Sequence, residues 1–143
     1  MTIPELYSKF LKLNIDKIEV DAIMGSKESI IDAIVNDQQY EKGIKGDGQS
    51  IGRYSRKTIP IKVARGQRID HITLRDEGNF HKGYTMERAG YGGLVYSRDS
   101  KADMLEGRYG SGINDLTNQN QSKIVESEIK PAFLKGLRNG LQL

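Results

Sequence analysis

The sequence predicts an α+β fold: a small antiparallel sheet packed by a helix from the N-terminal half and by a long C-terminal helix, with a long basic loop between them. Three observations predict it. Ile30, Ile31, Ile34 and Val35 follow Ser26 at helical spacing, and Ile124, Val125, Ile129, Ala132, Phe133, Leu137 and Leu141 form a second helical stripe. Tyr84-Thr85-Met86-Glu87-Arg88 and Leu94-Val95-Tyr96-Ser97 flank Gly90-Tyr91-Gly92-Gly93, the composition of a hairpin that needs positive φ. Residues 44–68 are rich in Gly, Ser, Lys and Arg and show little apolar periodicity.

In chain order, Thr2-Ile3-Pro4-Glu5 has the form of a capping box, and Leu6, Phe10 and Leu13 continue it as a short helix near 3–13. Ile18, Val20 and Ala22 alternate with Lys17, Glu19 and Asp21, which is strand periodicity in a run short enough to fit a helical turn as well. Ser26 is a natural N-cap for the next helix, which Gly43 and Gly46 end. The basic excursion over 44–68 holds at most a short helical turn around Thr58. Arg75-Asp76-Glu77-Gly78 has turn composition after Ile69, Ile72 and Leu74. Asp99 to Tyr109 forms a short helix stopped by Gly110 and Gly112, and Thr117 caps the long final helix. Pro131 lies inside its stripe, which predicts a kink or break near 127–131.

The 143 residues suit a single domain spanning 1–143, with residues 1–25 as an N-terminal extension. A hydrophobic share of 36% against 29% charged residues implies a modest core, one that copies of the chain could complete. There is no cysteine, which removes disulfides, thiolate metal sites and cysteine nucleophiles and fits synthesis in a reducing cytoplasm. No basic stretch with a following apolar run opens the chain, and no apolar run reaches the ~18 residues of a membrane span, so neither a signal peptide nor a membrane partner is expected. Net charge is +3, but its distribution is uneven: Arg53, Arg56, Lys57, Lys62, Arg65 and Arg68 lie between Asp47 and Asp70 with no acidic residue among them. Such a block suits phosphate neutralisation or subunit contact, while the plainer reading of the block alone is a solvated loop.

Catalytic patterns fare poorly. Gly48-Gln49-Ser50-Ile51-Gly52 matches the nucleophile-elbow spacing, with Asp76 and His81 in order behind it, but a helix precedes it where a strand is required. Asp70, His71, Asp76, Glu77 and His81 have metal-ligand chemistry without metal-ligand spacing. Gly46-Asp47-Gly48 lacks the strand and the Gly-Lys-Ser/Thr of a phosphate loop, and Lys82-Gly83-Tyr84 abandons the RNA-recognition pattern after three residues. Tyr84, Tyr91 and Tyr96, with Arg88 and Arg98, read as base-stacking groups or as cross-strand pairs. No catalytic group and no cofactor or metal site is expected.

Gly43-Ile44, Gly48, Tyr54-Ser55 and Thr58, followed by Thr73-Leu74-Arg75-Asp76-Glu77-Gly78-Asn79-Phe80, resemble the phage virion-morphogenesis or tail-completion proteins. Ser97-Arg98-Asp99-Ser100-Lys101, Leu105, Tyr109-Gly110, Leu116-Thr117 and Asn120 extend the resemblance over most of residues 35–125. Glu77 stands where that family usually has Thr, and Phe80 where it has a large aliphatic residue. The resemblance singles out Leu74, Arg75, Asp76, Gly78 and Phe80 as the turn motif. It implies a structural virion protein, made in the host cytoplasm, that forms a homo-oligomeric ring at the head–tail joint or tail end. Its partners would be other neck or tail proteins, with non-specific contact to packaged DNA. Two other readings compete: a basic nucleic-acid-binding module using the 53–68 block and the tyrosines, and a small metal-dependent nuclease or hydrolase using the 70–81 cluster.

Overall fold

Thr2 and Glu5 start α1 (Ile3–Leu11) by satisfying each other's backbone. Glu5 N donates to Thr2 Oγ1 at 3.3 Å, and Thr2 N donates to the Glu5 carboxylate at 2.6 Å. Asn14 then caps α2 (Ile15–Gly25), its side-chain oxygen accepting from Lys17 N at 3.1 Å. The alternation at 18–22 therefore belongs to a helix and not to a strand. The cause is packing: Ile18 lies against Gly136 near the C-terminus, Val20 and Ala22 are buried, and α2 also touches both strands of the hairpin. A helix covered on more than one side buries residues around its circumference and loses the 3.6 period. The computed structural model describes all 143 residues.

α3 (Lys27–Asp32) continues without interruption into π-helical turns over Ala33–Lys42. Ser26 precedes it, but its hydroxyl donates back to the Ala22 carbonyl at 3.2 Å and caps nothing. In π turns residues five apart align, so Gln39 falls under Ile34 with Gln38 beside it, and all three are fully buried. Gly43 closes the helix at φ +61, where its α-hydrogen meets the His71 ring and no side chain would fit.

The segment 44–68 is largely irregular, as its composition predicts, and one short helix begins at the expected Thr58. Ile44 and Ser50 form an isolated bridge, Ile51 enters the core, and the Ser55 and Thr58 hydroxyls, 2.9 Å apart, start α4 (Thr58–Ala64). One buried isoleucine and one buried lysine, Lys62, anchor what periodicity alone leaves unassigned.

α5 (Asn79–Lys82) leads into β1 (Tyr84–Ala89) and β2 (Gly92–Ser97), an antiparallel pair with Tyr84 opposite Ser97 and Ala89 opposite Gly92. Gly90 turns the hairpin at φ +57. Tyr84, Thr85 and Met86 are buried while Glu87 to Ala89 are exposed, so the base of the hairpin is enclosed and its tip projects. α6 (Ala102–Tyr109), a 3₁₀ turn (Ser111–Asn114) and α7 (Asn118–Ile124) follow, with Thr117 Oγ1 accepting from Asn120 N at 3.2 Å. Pro131 does not break the final helix. Five residues of π-helix, Val125–Ile129, absorb the missing hydrogen bond before α8 (Lys130–Leu141).

The α+β class and the packing of the long C-terminal helix on the sheet hold. Ile124 and Ile129 of that helix join Ile30, Ile34, Phe80, Tyr84 and Met86 in one core. Its second half, α8, then crosses α2 and α1, with Gly136 admitting Ile18 and Gly140 admitting Leu13. Residues 1–25 thus pack on the C-terminal helix as two ordered helices. A buried polar seam completes the core: Gln39 Nε2 donates to Tyr84 Oη and to the Ile113 carbonyl, both at 2.8 Å, and Tyr84 Oη donates to Asn114 Oδ1 at 2.7 Å. Gln38 donates to the Asp115 carbonyl at 2.8 Å and accepts from Thr117 N at 3.0 Å.

Candidate functional site: a groove between two short helices

α4 and α6 stand as the two walls of a groove of about 490 Å³. Each wall presents one helical face at i, i+3, i+4 and i+7: Thr58, Ile61, Lys62 and Arg65 on one side, Lys101, Met104, Leu105 and Arg108 on the other. Ile72, Leu74 and Phe80 form the apolar floor. The basic segment and the turn motif, separate in sequence, are therefore parts of one surface.

The turn is held in an uncommon conformation. Leu74 is buried at φ +55, a region bulky residues rarely adopt, and Gly78 follows at φ +90. Several contacts impose it. Thr73 N donates to Tyr54 Oη at 3.1 Å, and Arg75 N donates to Thr73 Oγ1 at 3.2 Å. Lys62 Nζ donates to the Arg75 carbonyl at 3.1 Å while lying 4.9 Å from the Tyr54 ring centre. Arg65 grips Asp76 at 2.6 Å, and Gln67 donates to the Asp76 carbonyl at 2.9 Å. A strained φ persists where its surroundings over-determine it, and here they do.

The six cations of the basic block consequently divide into two groups. Lys62 and Arg65 hold the turn, and Arg68 reaches Asp70 at 2.6 Å and the Tyr40 carbonyl at 3.2 Å. The Arg65 guanidinium, then Gln67, hold the Asp76 carboxyl below the usual carboxylate range, and Arg68 does the same for Asp70. Arg53, Arg56 and Lys57 are exposed and make no ion pair. Of the motif residues, Leu74 and Phe80 are floor, Gly78 is the bend, and Arg75 lines the groove while its guanidinium is engaged by Tyr40, His81 and Asn36. Its guanidinium stacks 4.0 Å from the Tyr40 ring centre, donating to His81 Nδ1 and Asn36 Oδ1, both at 3.0 Å.

His81 is buried beside that guanidinium, and burial first, then the Arg75 charge, push its pKa down to about 4. It is a neutral acceptor at its Nδ1. The residues of the hydrolase reading do not meet: Ser50 is exposed and its Oγ accepts from Gly52 N at 3.1 Å, Asp76 is engaged by Arg65, and His81 by Arg75. The metal reading loses its geometry in the same way. His71 faces Asp70 and the Tyr40 carbonyl, and no three His, Asp or Glu side chains converge. The tyrosines also separate: Tyr84 is buried, Tyr96 donates to Glu87 on the opposite face of the hairpin, and Tyr91 sits exposed at the tip.

The α6 wall, with Lys101, Met104 and Arg108, is visible in the sequence as a helix but not as part of a site. Its signal is a mixed cationic and apolar stripe at helical spacing, which becomes meaningful only opposite α4. No protein-family model matches this chain, and no curated protein or solved structure matches it.

Proposed function

We propose that this chain is a structural subunit of a tailed bacteriophage particle, acting as a homo-oligomeric ring at the head–tail joint or tail end. In this reading it is made in the host cytoplasm, resides in the virion and contacts other neck or tail proteins. The observation that carries the proposal is the groove. The turn motif that resembles tail-completion proteins is its floor, and both lips leave a large apolar side chain in water, Ile61 at 54% and Met104 at 59% exposure. An apolar centre with a charged and polar rim is the make-up of a protein docking surface, and the groups of both enzymatic readings are engaged elsewhere. Mass spectrometry of purified particles, with disruption of the gene in the phage that carries it, tests the proposal. The expected result is presence at fixed stoichiometry and, without the gene, unjoined heads and tails. Absence from particles together with normal particle yield would overturn it.

A second reading has its own observation. Arg53, Arg56 and Lys57 are free cations on one short stretch, suited to the backbone phosphates of DNA. Three such contacts give a slope of about −2.7 in log K against log salt on a duplex of arbitrary sequence. Nanomolar, salt-sensitive binding by the isolated monomer would favour a dedicated nucleic-acid module over a ring subunit that touches DNA only in the assembly.

A further inference from the structure

We propose that the groove between α4 and α6 receives helix α1 of a second copy of this chain, a head-to-tail contact that rests on the oligomeric reading above and names the surfaces that make it. The argument begins with α1, which has an apolar face that its own chain leaves uncovered. Ile3, Tyr7, Phe10 and Leu11 lie at i, i+4, i+7 and i+8 and are 84%, 62%, 47% and 64% exposed, and no residue of the helix is buried. This is the anchor spacing of a helix that lies in a groove. The helix is tied to its own chain on another face, where Leu13 just beyond it meets Gly140 and Lys9 donates to Gln142 at 2.6 Å.

The groove has matching dimensions. Its wall residues 58 to 65 and 101 to 108 each span about 12 Å, against about 13 Å for the nine residues of α1. Its centre is apolar, with Ile61 and Met104 exposed to the anchors above a floor of Leu105, Leu74 and Phe80. The charged rim is mixed. Both surfaces carry both signs: Lys101 and Arg108 flank the groove without ion pairs beside Glu77 and Asp99, and exposed, unpaired Asp16 and Glu19 on α2 stand near Lys9 and Lys12 of the α1 end, so opposite charges can meet across the contact. No residue of 1–25 lines the groove of its own chain, so the two surfaces are separate, and each remains open on a monomer.

A contact between two different surfaces of one chain is heterologous: it propagates, and it closes into a ring where the rotation allows. The four anchors expose on the order of 400 Å², about half of what each partner buries in a standard interface. A single contact is therefore weak, and a closed ring, in which every subunit makes two, holds more firmly than any pair.

Sedimentation velocity of the full chain from about 1 to about 200 µM tests this, the range suited to an interface of this size. The variants are Tyr7→Glu and Met104→Glu, both at exposed positions and both checked for unchanged circular dichroism. The wild type is expected to assemble beyond a dimer with rising concentration. Each variant alone is expected to stay monomeric, its association weakened about a hundredfold. An equimolar mixture is expected to give a heterodimer and nothing larger, since one intact groove and one intact stripe remain. Assembly of Met104→Glu like the wild type would show α1 pairing with its own equivalent and overturn the proposal, as would assembly of Tyr7→Glu. A wild type that stays monomeric throughout would assign the groove to a different protein. That result would sink the self-contact alone, because presence in particles is measured independently.

Discussion

Replacing His81 by Gln separates one titration from every other in the molecule. The ring is buried against Arg75 with a pKa of about 4, compared with 6.5 for the free side chain. Above pH 6.5 both folded and unfolded chains hold it neutral, and its contribution to stability is complete. As pH falls below 6.5 the unfolded ring gains a proton that the folded one refuses, so stability is lost until the folded ring titrates near 4. The full difference approaches about 3 kcal/mol, and a step from about pH 7 to about pH 4.5 removes about 2 kcal/mol. The lowered carboxyls of Asp37, Asp70 and Asp76 lose their contributions at lower pH, beneath this window. Urea unfolding of the wild type and His81→Gln at both pH values reads the effect directly. Gln keeps an acceptor for the Arg75 Nε donor and does not titrate, so the variant is expected to be less stable at pH 7 yet nearly insensitive to the step. Equal pH sensitivity in the two proteins would refute the reasoning and place the His81 proton elsewhere.

Three further outcomes are expected. Tyr84→Phe removes the hydroxyl shared by Gln39 and Asn114, leaving buried polar groups unpaired, and should cost about 1–3 kcal/mol by thermal or urea unfolding; an unchanged midpoint would mean the seam contributes nothing. Gly43→Ala places a methyl against the His71 ring at a left-handed backbone and should destabilise by about 2 kcal/mol or more in the same assay, where no loss would show that the helix end shifts freely. Joint replacement of Arg53, Arg56 and Lys57 by Ala should change the unfolding free energy by less than about 0.5 kcal/mol per site, whereas Lys62→Ala should cost about 1–3 kcal/mol; similar losses in both would erase the division between free and structural cations.

Elements whose determinants lie within a few residues of one another are legible in the sequence. The Thr2–Glu5 box, the Gly43 and Gly110 helix ends, the Thr117 cap and the Gly90 hairpin each form where local residues place them. At Pro131 the disturbance is legible and its form is not: the chain widens into π turns and continues, because Ile124 and Ile129 are held in the core. The α2 segment misleads for the opposite reason, since contacts with α8 and the hairpin overwrite its period. Within the candidate site the cations and the turn motif are visible as residue types. Their joint role is not, because Lys62 meets the Arg75 carbonyl across 13 positions and α6 faces α4 across some forty.

By itself the sequence determined the class of fold, the hairpin and the helices that begin at residues 3, 27, 102 and 118, the absence of disulfide chemistry and an excess of positive charge between Asp47 and Asp70. Those properties depend on local propensity, hydrophobic period and composition, which short stretches of chain express alone. Tertiary structure decided which three of six cations are structural, that Gln38 and Gln39 are interior residues, that Ser50, Asp76 and His81 are each engaged with other partners, and that a groove exists at all. Most of these rest on distances between residues far apart in the chain. Such distances follow from how elements pack together, and no single element carries them in its own residues.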